Sequence, residues 1–378
     1  MILTQCPVCA APLPDLTAKQ CSRCRTRYCG AACQIQHWER GGHDALCKKI
    51  KKGGGAEQYH ANKKYAEAVT VAVEQCAEDT NGQTCYICTQ ALHWKTKEGL
   101  VRGCSCRGTA GFAHVSCLAE QAKLLNDEGE ENNLSPEGRW ERWRTCSLCK
   151  QDYHGVVACA LGWACWKTYV GRPERHLIRN HAMSLLGNGL FITMHFEAAL
   201  TVQEAEMSML RRFGASEENM LVMQNNLAST YIALGREDQG LRMRQEVYSG
   251  RLKLFGESHD MTLRAANNYA GCLVDLKRFD EAKSLLRKTV PVARRVLGEN
   301  DELTIKLRWN YAAALVRADG AMLDDLREAV TTLEEIERTG RRVLGGAHPL
   351  VGTIVAGLRC ARAELAATFA AREGTKIK

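Results

Sequence analysis

No apolar run in this chain is long enough to cross a bilayer: the longest, Val156 to Trp166, ends after 11 residues at Lys167, against the roughly 20 that a spanning helix needs. No secretory leader is expected either. Met1 to Pro14 has neither a charged start nor an uninterrupted apolar stretch, so an intracellular, reducing setting is expected. There is no phosphate-binding glycine loop and no hydrolase nucleophile elbow, which removes two common enzyme classes. Nor is there a large excess of one charge. The formal +8 falls to +2 once 14 cysteines are counted as thiolates on four divalent ions, and most of the global case for a nucleic-acid partner goes with it.

What the chain has in excess is cysteine: 19 in 378 residues, 15 of them before residue 150. Most stand in Cys-x2-Cys pairs. A disulfide framework needs an oxidising compartment, so zinc is the expected partner of these thiols. Composition then divides the chain. Residues 1–52 form a first cysteine-rich finger that ends in Lys48, Lys49, Lys51 and Lys52. Residues 53–84 hold a triple-glycine joint and a connecting helix, read from the helical spacing of Tyr59, Tyr65, Ala68, Val69, Ala72, Val73 and Cys76. Cys76 is expected to be a packed thiol there. Residues 85–150 form a second finger, 151–178 an apolar helical connector expected to cap the repeats, and 179–372 a repeat region.

The repeat is explicit. Gly214, Gly256 and Gly298 are 42 residues apart, as are Met220, Thr262 and Thr304, and as are Asn226, Asn268 and Asn310. Such a period is the signature of stacked helical hairpins, each ended by glycine. Four units are expected, with Pro291 kinking the helix it interrupts. The segments "QNNLASTYIALGREDQGLRMRQEVYSGRLKLFG" and "ANNYAGCLVDLKRFDEAKSLLRKTVPVARRVLG" resemble the long tetratricopeptide (TPR) repeats of kinesin light chains. That resemblance implies a concave peptide-binding surface lined by Asn226, Asn268 and Asn310; the alternative is that these asparagines only bond neighbouring helices.

The first cluster reads Cys6-x2-Cys9-x11-Cys21-x2-Cys24-x4-Cys29-x3-Cys33-x9-His43-x3-Cys47. Eight soft ligands in closely spaced pairs suit two tetrahedral zinc ions with no open coordination position. With "YCGAACQIQHW" before the closing pair, it resembles the MYND finger. The resemblance implies interleaved pairing, Cys6, Cys9, Cys29 and Cys33 at one zinc and Cys21, Cys24, His43 and Cys47 at the other. It also implies a groove for short proline-containing peptides bordered by Gln34 and Trp38. The gap before His43 is two residues longer than usual in the family, with Gly41-Gly42 as the insertion. His37 is the competing ligand; His43 is preferred because its separation from Cys47 fits the family.

The second cluster reads Cys85-x2-Cys88-x15-Cys104-x1-Cys106-x7-His114-x2-Cys117-x28-Cys146-x2-Cys149. Carried by "CSCRGTAGFAHVSCL" and "CSLCKQDYHG", it resembles the RING-CH, or RING-variant, finger. Cross-brace pairing would put Cys85, Cys88, His114 and Cys117 on one zinc and Cys104, Cys106, Cys146 and Cys149 on the other, four zinc ions in all. The family's activity is ubiquitin transfer without a nucleophile of its own: such a finger positions a charged ubiquitin-conjugating enzyme. Ile87 and Leu148 match the contact positions. Two features depart from the family. Gln121 stands where members carry tryptophan, and the loop from Leu118 to Thr145 is long and acidic, with Trp140 and Trp143 as candidates to fold back in place of the missing ring.

The expected fold is therefore mostly α, two small zinc-stapled fingers followed by an α-helical TPR solenoid. The expected function is that of a RING-type ubiquitin ligase, recruiting proteins through its TPR and MYND modules. The alternative is a non-enzymatic scaffold or adaptor. No membrane partner is expected. The location is read as cytoplasmic, with the nucleus second because the lysine run at 48–52 reads either as solvated linker or as an import signal.

Overall fold

A computed structural model describes residues 6–9, 11, 13, 18–134, 136–318, 320–346 and 348–376; the segments of the first finger at 1–5 and 14–17 lie outside them. The chain forms two compact units, Met1–Ala215 and Ser216–Lys378. None of the described helices is long and apolar enough to cross a membrane.

The first unit opens with a two-residue hairpin, β1 (Lys19–Gln20) and β2 (Arg27–Tyr28), paired antiparallel, then α1 (Ala31–Glu39) and α2 (His43–Lys52). Tyr28, Ile50 and Ala56 pack around the thiols of this finger. So few apolar residues cannot hold a fold without a staple. Next come α3 (Ala56–Gln75) and the short α4 (Ala77–Thr80). The second finger has little regular structure before α5 (Val115–Glu131) and α6 (Pro136–Arg144). These two helices occupy most of what the sequence reads as a long loop after Leu118. The acidic residues Glu128, Glu130 and Glu131 are exposed, while Leu118, Ala122 and Asn126 turn inward.

α7 (Gly155–Tyr169) is the centre of this unit. Its apolar run is buried nearly all round, with Leu161, Trp163, Cys165 and Trp166 in one core shared with α3, the second finger, α8 (Leu177–Ile192) and α9 (Phe196–Arg212). The apolar connector is therefore the hub of this unit. Cys76 sits in the same core, as expected of a packed thiol.

Polar contacts fix α3 and the finger to α7. Glu98 accepts both the backbone N–H (2.7 Å) and the hydroxyl (2.8 Å) of Ser116, which satisfies an otherwise orphan donor in the first turn of α5. The Tyr65 hydroxyl reaches Ser116 Oγ at 3.0 Å, and the Lys167 ammonium lies 3.6 Å from the Tyr65 ring centre. Gln58 Nε2 donates to the Lys167 carbonyl at 2.9 Å.

The second unit is built of helical hairpins: α10 (Glu217–Ala233) with α11 (Glu237–Phe255), α12 (Asp260–Asp275) with α13 (Phe279–Val296), and α14 (Glu302–Arg317) with α15 (Leu323–Val343), followed by α16 (Pro349–Lys376). The 42-residue period has a bonding basis. Buried Thr262 donates to the Arg251 carbonyl at 3.2 Å, and buried Thr304 donates to the Ala293 carbonyl at 3.4 Å. Gly256, Gly298 and Gly345 end their hairpins with φ between 79° and 89°, a region open to glycine at no steric cost. The turn inside the hairpin also needs a positive φ, supplied by Gly235 at 73° and by Lys277 at 60°. α13 continues through Pro291.

Candidate functional site

Four groups of side chains converge with metal-ligand geometry: Cys6, Cys9, Cys29, Cys33; Cys21, Cys24, His43, Cys47; Cys85, Cys88, His114, Cys117; and Cys104, Cys106, Cys146, Cys149, with the ligand atoms of each group within 4.8 Å of one another. These are the interleaved and cross-brace sets the two resemblances imply. Sulfurs on a tetrahedral zinc at a Zn–S distance of about 2.3 Å stand roughly 3.8 Å apart. Here Cys9 to Cys29 is 3.5 Å, Cys29 to Cys33 3.6 Å, Cys21 to Cys47 3.7 Å and Cys106 to Cys146 3.8 Å. The residues fit the ion without rearrangement.

The histidines settle which rings belong to the clusters. His43 Nε2 lies 3.3 Å from Cys24 Sγ. His37, the competing candidate, is bonded through Nδ1 to the Tyr28 hydroxyl at 3.1 Å, its ring 4.8 Å from that of His43. His114 uses the other nitrogen. Its Nδ1 lies 3.4 Å from Cys88 Sγ and 3.6 Å from Cys117 Sγ, while Nε2 bonds the Ala91 carbonyl at 3.3 Å. Such an outer bond fixes the ring for metal binding.

Electrostatics point the same way. Burial pushes the Cys6 thiol up, but the backbone N–H groups of Cys29, Cys9 and Val8 outweigh it and bring it down to about 6. Hydrogen bonding with Cys29 and Cys9 pushes Cys33 up to about 12. In the second group Cys21 is lowered by the N–H groups of Cys24 and Arg23 against burial, while burial and then Cys21 and Cys24 push Cys47 up to about 12. Backbone donors thus prepare the first thiolate, and a dication is needed to hold the remaining thiols deprotonated beside it.

Three of the knuckles share one local fold. The residue after the second cysteine, Arg25, Thr89 or Lys150, has φ between 59° and 62°. Its N–H returns to the first cysteine's carbonyl at 2.8, 2.8 and 3.1 Å respectively. The sequence reading missed a fourth turn of this form. Lys97 has φ 60° and its N–H bonds the His93 carbonyl at 2.9 Å; His93 N–H bonds the Glu98 carbonyl at 3.0 Å, as Cys85 N–H bonds that of Gln90. In place of a metal, His93 Nδ1 meets Thr96 Oγ1 at 2.8 Å and accepts Thr96 N–H at 3.1 Å. The buried His93 ring stands edge-on to His114, 5.3 Å between centres, so a hydrogen-bonded knuckle braces a metal-binding one. The spacing His93-x2-Thr96 was the only signal available.

The proposed contact residues fall as follows. Ile87 packs partly against the core and Leu148 is 49% exposed. Their two knuckles are tied by a 3.1 Å bond between the Tyr86 hydroxyl and Ser147 Oγ. Gln121 is half-buried on α5, and Leu124 and Leu125, a turn further on, are exposed. Trp143 is fully buried, 5.8 Å from the Tyr169 ring, and Trp140 packs 5.1 Å from His181. Both rings fold inward, Trp143 into the same core as Cys117, Leu118 and Ala122 of α5. In the first finger Gln34 is half-buried and Trp38 is exposed, its ring 5.8 Å from that of His43.

In the second unit Asn268 Nδ2 donates to Asn225 Oδ1 at 3.2 Å, and Asn310 Nδ2 donates to Asn267 Oδ1 at 3.1 Å. Each hairpin is thereby pinned to the one before it. Asn267, Asn268 and Asn310 also line a cavity of about 250 Å³ with Arg244 and Glu237. Asn226, half-buried on α10, supplies the carbonyl that Thr230 Oγ1 reaches at 3.3 Å.

Comparison with known proteins gives three family matches: MYND finger at residues 6–47, RING-variant domain at 85–149, and tetratricopeptide repeat at 219–290 and 262–320. A search of curated proteins finds no match. Among solved structures, a candidate kinesin light chain from Podosopora anserina, with nearly identical TPR-like repeats, is similar at 15% identity and TM-score 0.42 over 60% of this chain and 95% of that one. BtubC (BKLC) from P. vanneervenii is similar at 13% identity and TM-score 0.41, over 69% and 92%. The TPR2AB-domain:pHSP90 complex of yeast Sti1 follows at 11% and TM-score 0.24, over 65% and 99%. This chain thus combines a MYND finger, a RING-variant domain and TPR repeats, with Cys/His clusters that fit four zinc ions.

Proposed function

We propose that the chain is a RING-type ubiquitin ligase that docks a ubiquitin-conjugating enzyme on its RING-variant domain and gathers partners through the other modules. The observation that carries this reading is the pair of knuckles tied by Tyr86 and Ser147, the chain neighbours of Ile87 and of the exposed Leu148, at the two metal clusters. Zinc supplies no chemistry on substrate here; with four protein ligands at each cluster, it holds the knuckles rigid. The finger's work is positional, holding a thioester in a reactive pose. Asn226, Asn268 and Asn310 would present the TPR surface to a peptide, and Gln34 with Trp38 would border a site on the MYND finger.

A second reading, an adaptor without ligase activity, is favoured by one observation. α5 presents half-buried Gln121 where RING-variant domains carry tryptophan. Discharge of ubiquitin from a panel of charged conjugating enzymes by the zinc-loaded full chain separates the two. A ligase stimulates discharge from at least one, and Ile87→Ala lowers the rate tenfold or more while retaining four zinc ions. Absence of stimulation across the panel leaves the adaptor.

A further inference from the structure

A cleft of about 310 Å³ opens between the α5–α6 hairpin and the start of α8. Its charged lining is unbalanced. Arg139 comes from α6 and Arg175 from the approach to α8, against a single carboxylate, Glu130, and the imidazoles of His176 and His181 complete the polar lining. Among the described residues no carboxylate pairs with Arg139 or Arg175, although 17 ion pairs occur elsewhere.

Arg139 is placed rather than loose. Its aliphatic stem lies where a side chain on Gly129 would be, since a Cβ there would meet Cγ of Arg139 at 2.4 Å. Its Nε is buried with no hydrogen-bond partner. The side chain carries its charge with no compensating carboxylate among the described residues, and an anion in the cleft that Arg139 lines would supply the counter-charge. His176 is committed too. Its Nδ1 accepts the Ile178 N–H at 3.3 Å, which puts the ring proton on Nε2 and makes that edge a donor. Behind it the N-terminus of α8, a helix of 16 residues, adds the positive end of its dipole. The Trp140 ring, 5.1 Å from His181, forms an apolar wall.

We propose that this cleft binds a phosphate-class oxyanion, held by Arg139, Arg175 and His176. Its volume lies at the lower end of the range for small-ligand sites, enough for a phosphorylated side chain or a small phosphate ester and too little for a dinucleotide. The site is separate from the zinc clusters and does not depend on a conjugating enzyme.

The test is titration calorimetry of the zinc-loaded full chain in a phosphate-free buffer at constant ionic strength. The probes are inorganic phosphate, and a phosphoserine peptide with its unphosphorylated twin. Saturable binding that falls about tenfold or more in Arg175→Gln and in Arg139→Gln, and is unchanged in Arg295→Gln, is the expected result. Arg175 is exposed, so its variant decides the matter where Arg139→Gln loses zinc or helix content. A phosphopeptide that binds more tightly than phosphate, with an inert twin, assigns the source to a modified protein partner; equal affinities assign it to a free phosphate. No saturable binding of either probe, or binding indifferent to Arg175→Gln, overturns the proposal.

Discussion

Glu206 on α9 is a fully buried acid whose Oε1 accepts the Ser184 hydroxyl and whose Oε2 has no partner. Burial raises its carboxyl to about 8, against which the Ser184 bond works only in part. In the unfolded chain a glutamate titrates near 4.3. Between about pH 4.3 and 8 the folded state therefore holds a proton that the unfolded state has released, so stability falls as pH rises through that window and levels off above it. Glu206→Gln keeps the acceptor for Ser184 and removes the titration. Thermal melts are expected to show the variant level with the parent near pH 4.5 and more stable at pH 8.5, by up to about 5 kcal/mol. Parallel curves for the two proteins across that range would refute the assignment. Nothing in the sequence singles out Glu206 from the other glutamates of an amphipathic helix. Its burial comes from α8 packing over it, a tertiary fact that a 3.6-residue period does not encode.

Helix α7 meets α8 through two glycines. A Cβ on Gly162 would lie 3.1 Å from Leu186 Cα, and one on Gly189 would lie 2.9 Å from Cys159 Cα. Both obstacles are backbone, so neither can rotate away. Small residues here let the two axes approach closely, and overpacking such a contact costs about 1–3 kcal/mol. Gly189→Ala is expected to lower the melting temperature by several degrees, whereas Gly352→Ala on α16, with nothing near its Cβ, is expected to leave it unchanged or raise it. An equal response from both variants would remove close approach as the reason for glycine at 189. At this scale the sequence is informative where a period or ligand spacing repeats a physical constraint: the glycines that end each hairpin, the paired cysteines, the threonines 42 residues apart. It is silent where one contact is made once. The hydrogen-bonded knuckle at His93, the capping of α5 by Glu98, and the helices filling 118–145 carry no periodic mark, and an acidic stretch reads as loop until Leu118, Ala122 and Trp143 find a core to enter.

The molecule divides its dependence on metal along the line between its two units. In the first, the thiols Cys85, Cys104, Cys117 and Cys146 belong to the same core as Trp143, Trp166 and Leu186, so the RING-variant clusters and helices α3, α5 and α7 to α9 stand or fall together. In the second, the core of Leu273, Leu286, Ile305, Leu315 and Ile336 contains no zinc ligand, and its cysteine, Cys272, is a packed thiol. The sequence reading begins the repeats at 179, yet α8 and α9 share the first unit's core, and metal loss should reach them. Binding energy at a structural zinc is folding energy for whatever is built on the site, about 10–16 kcal/mol in small zinc peptides, more than a typical domain's entire stability. Chelation of the full chain at neutral pH, followed by hydrogen exchange, is therefore expected to remove protection from α1 to α9 while α10 to α16 keep theirs. Loss confined to the fingers, with α7 still protected, would show that the hub helix is stable without the metal sites; loss spreading through α12 to α15 would show that the repeats depend on them as well.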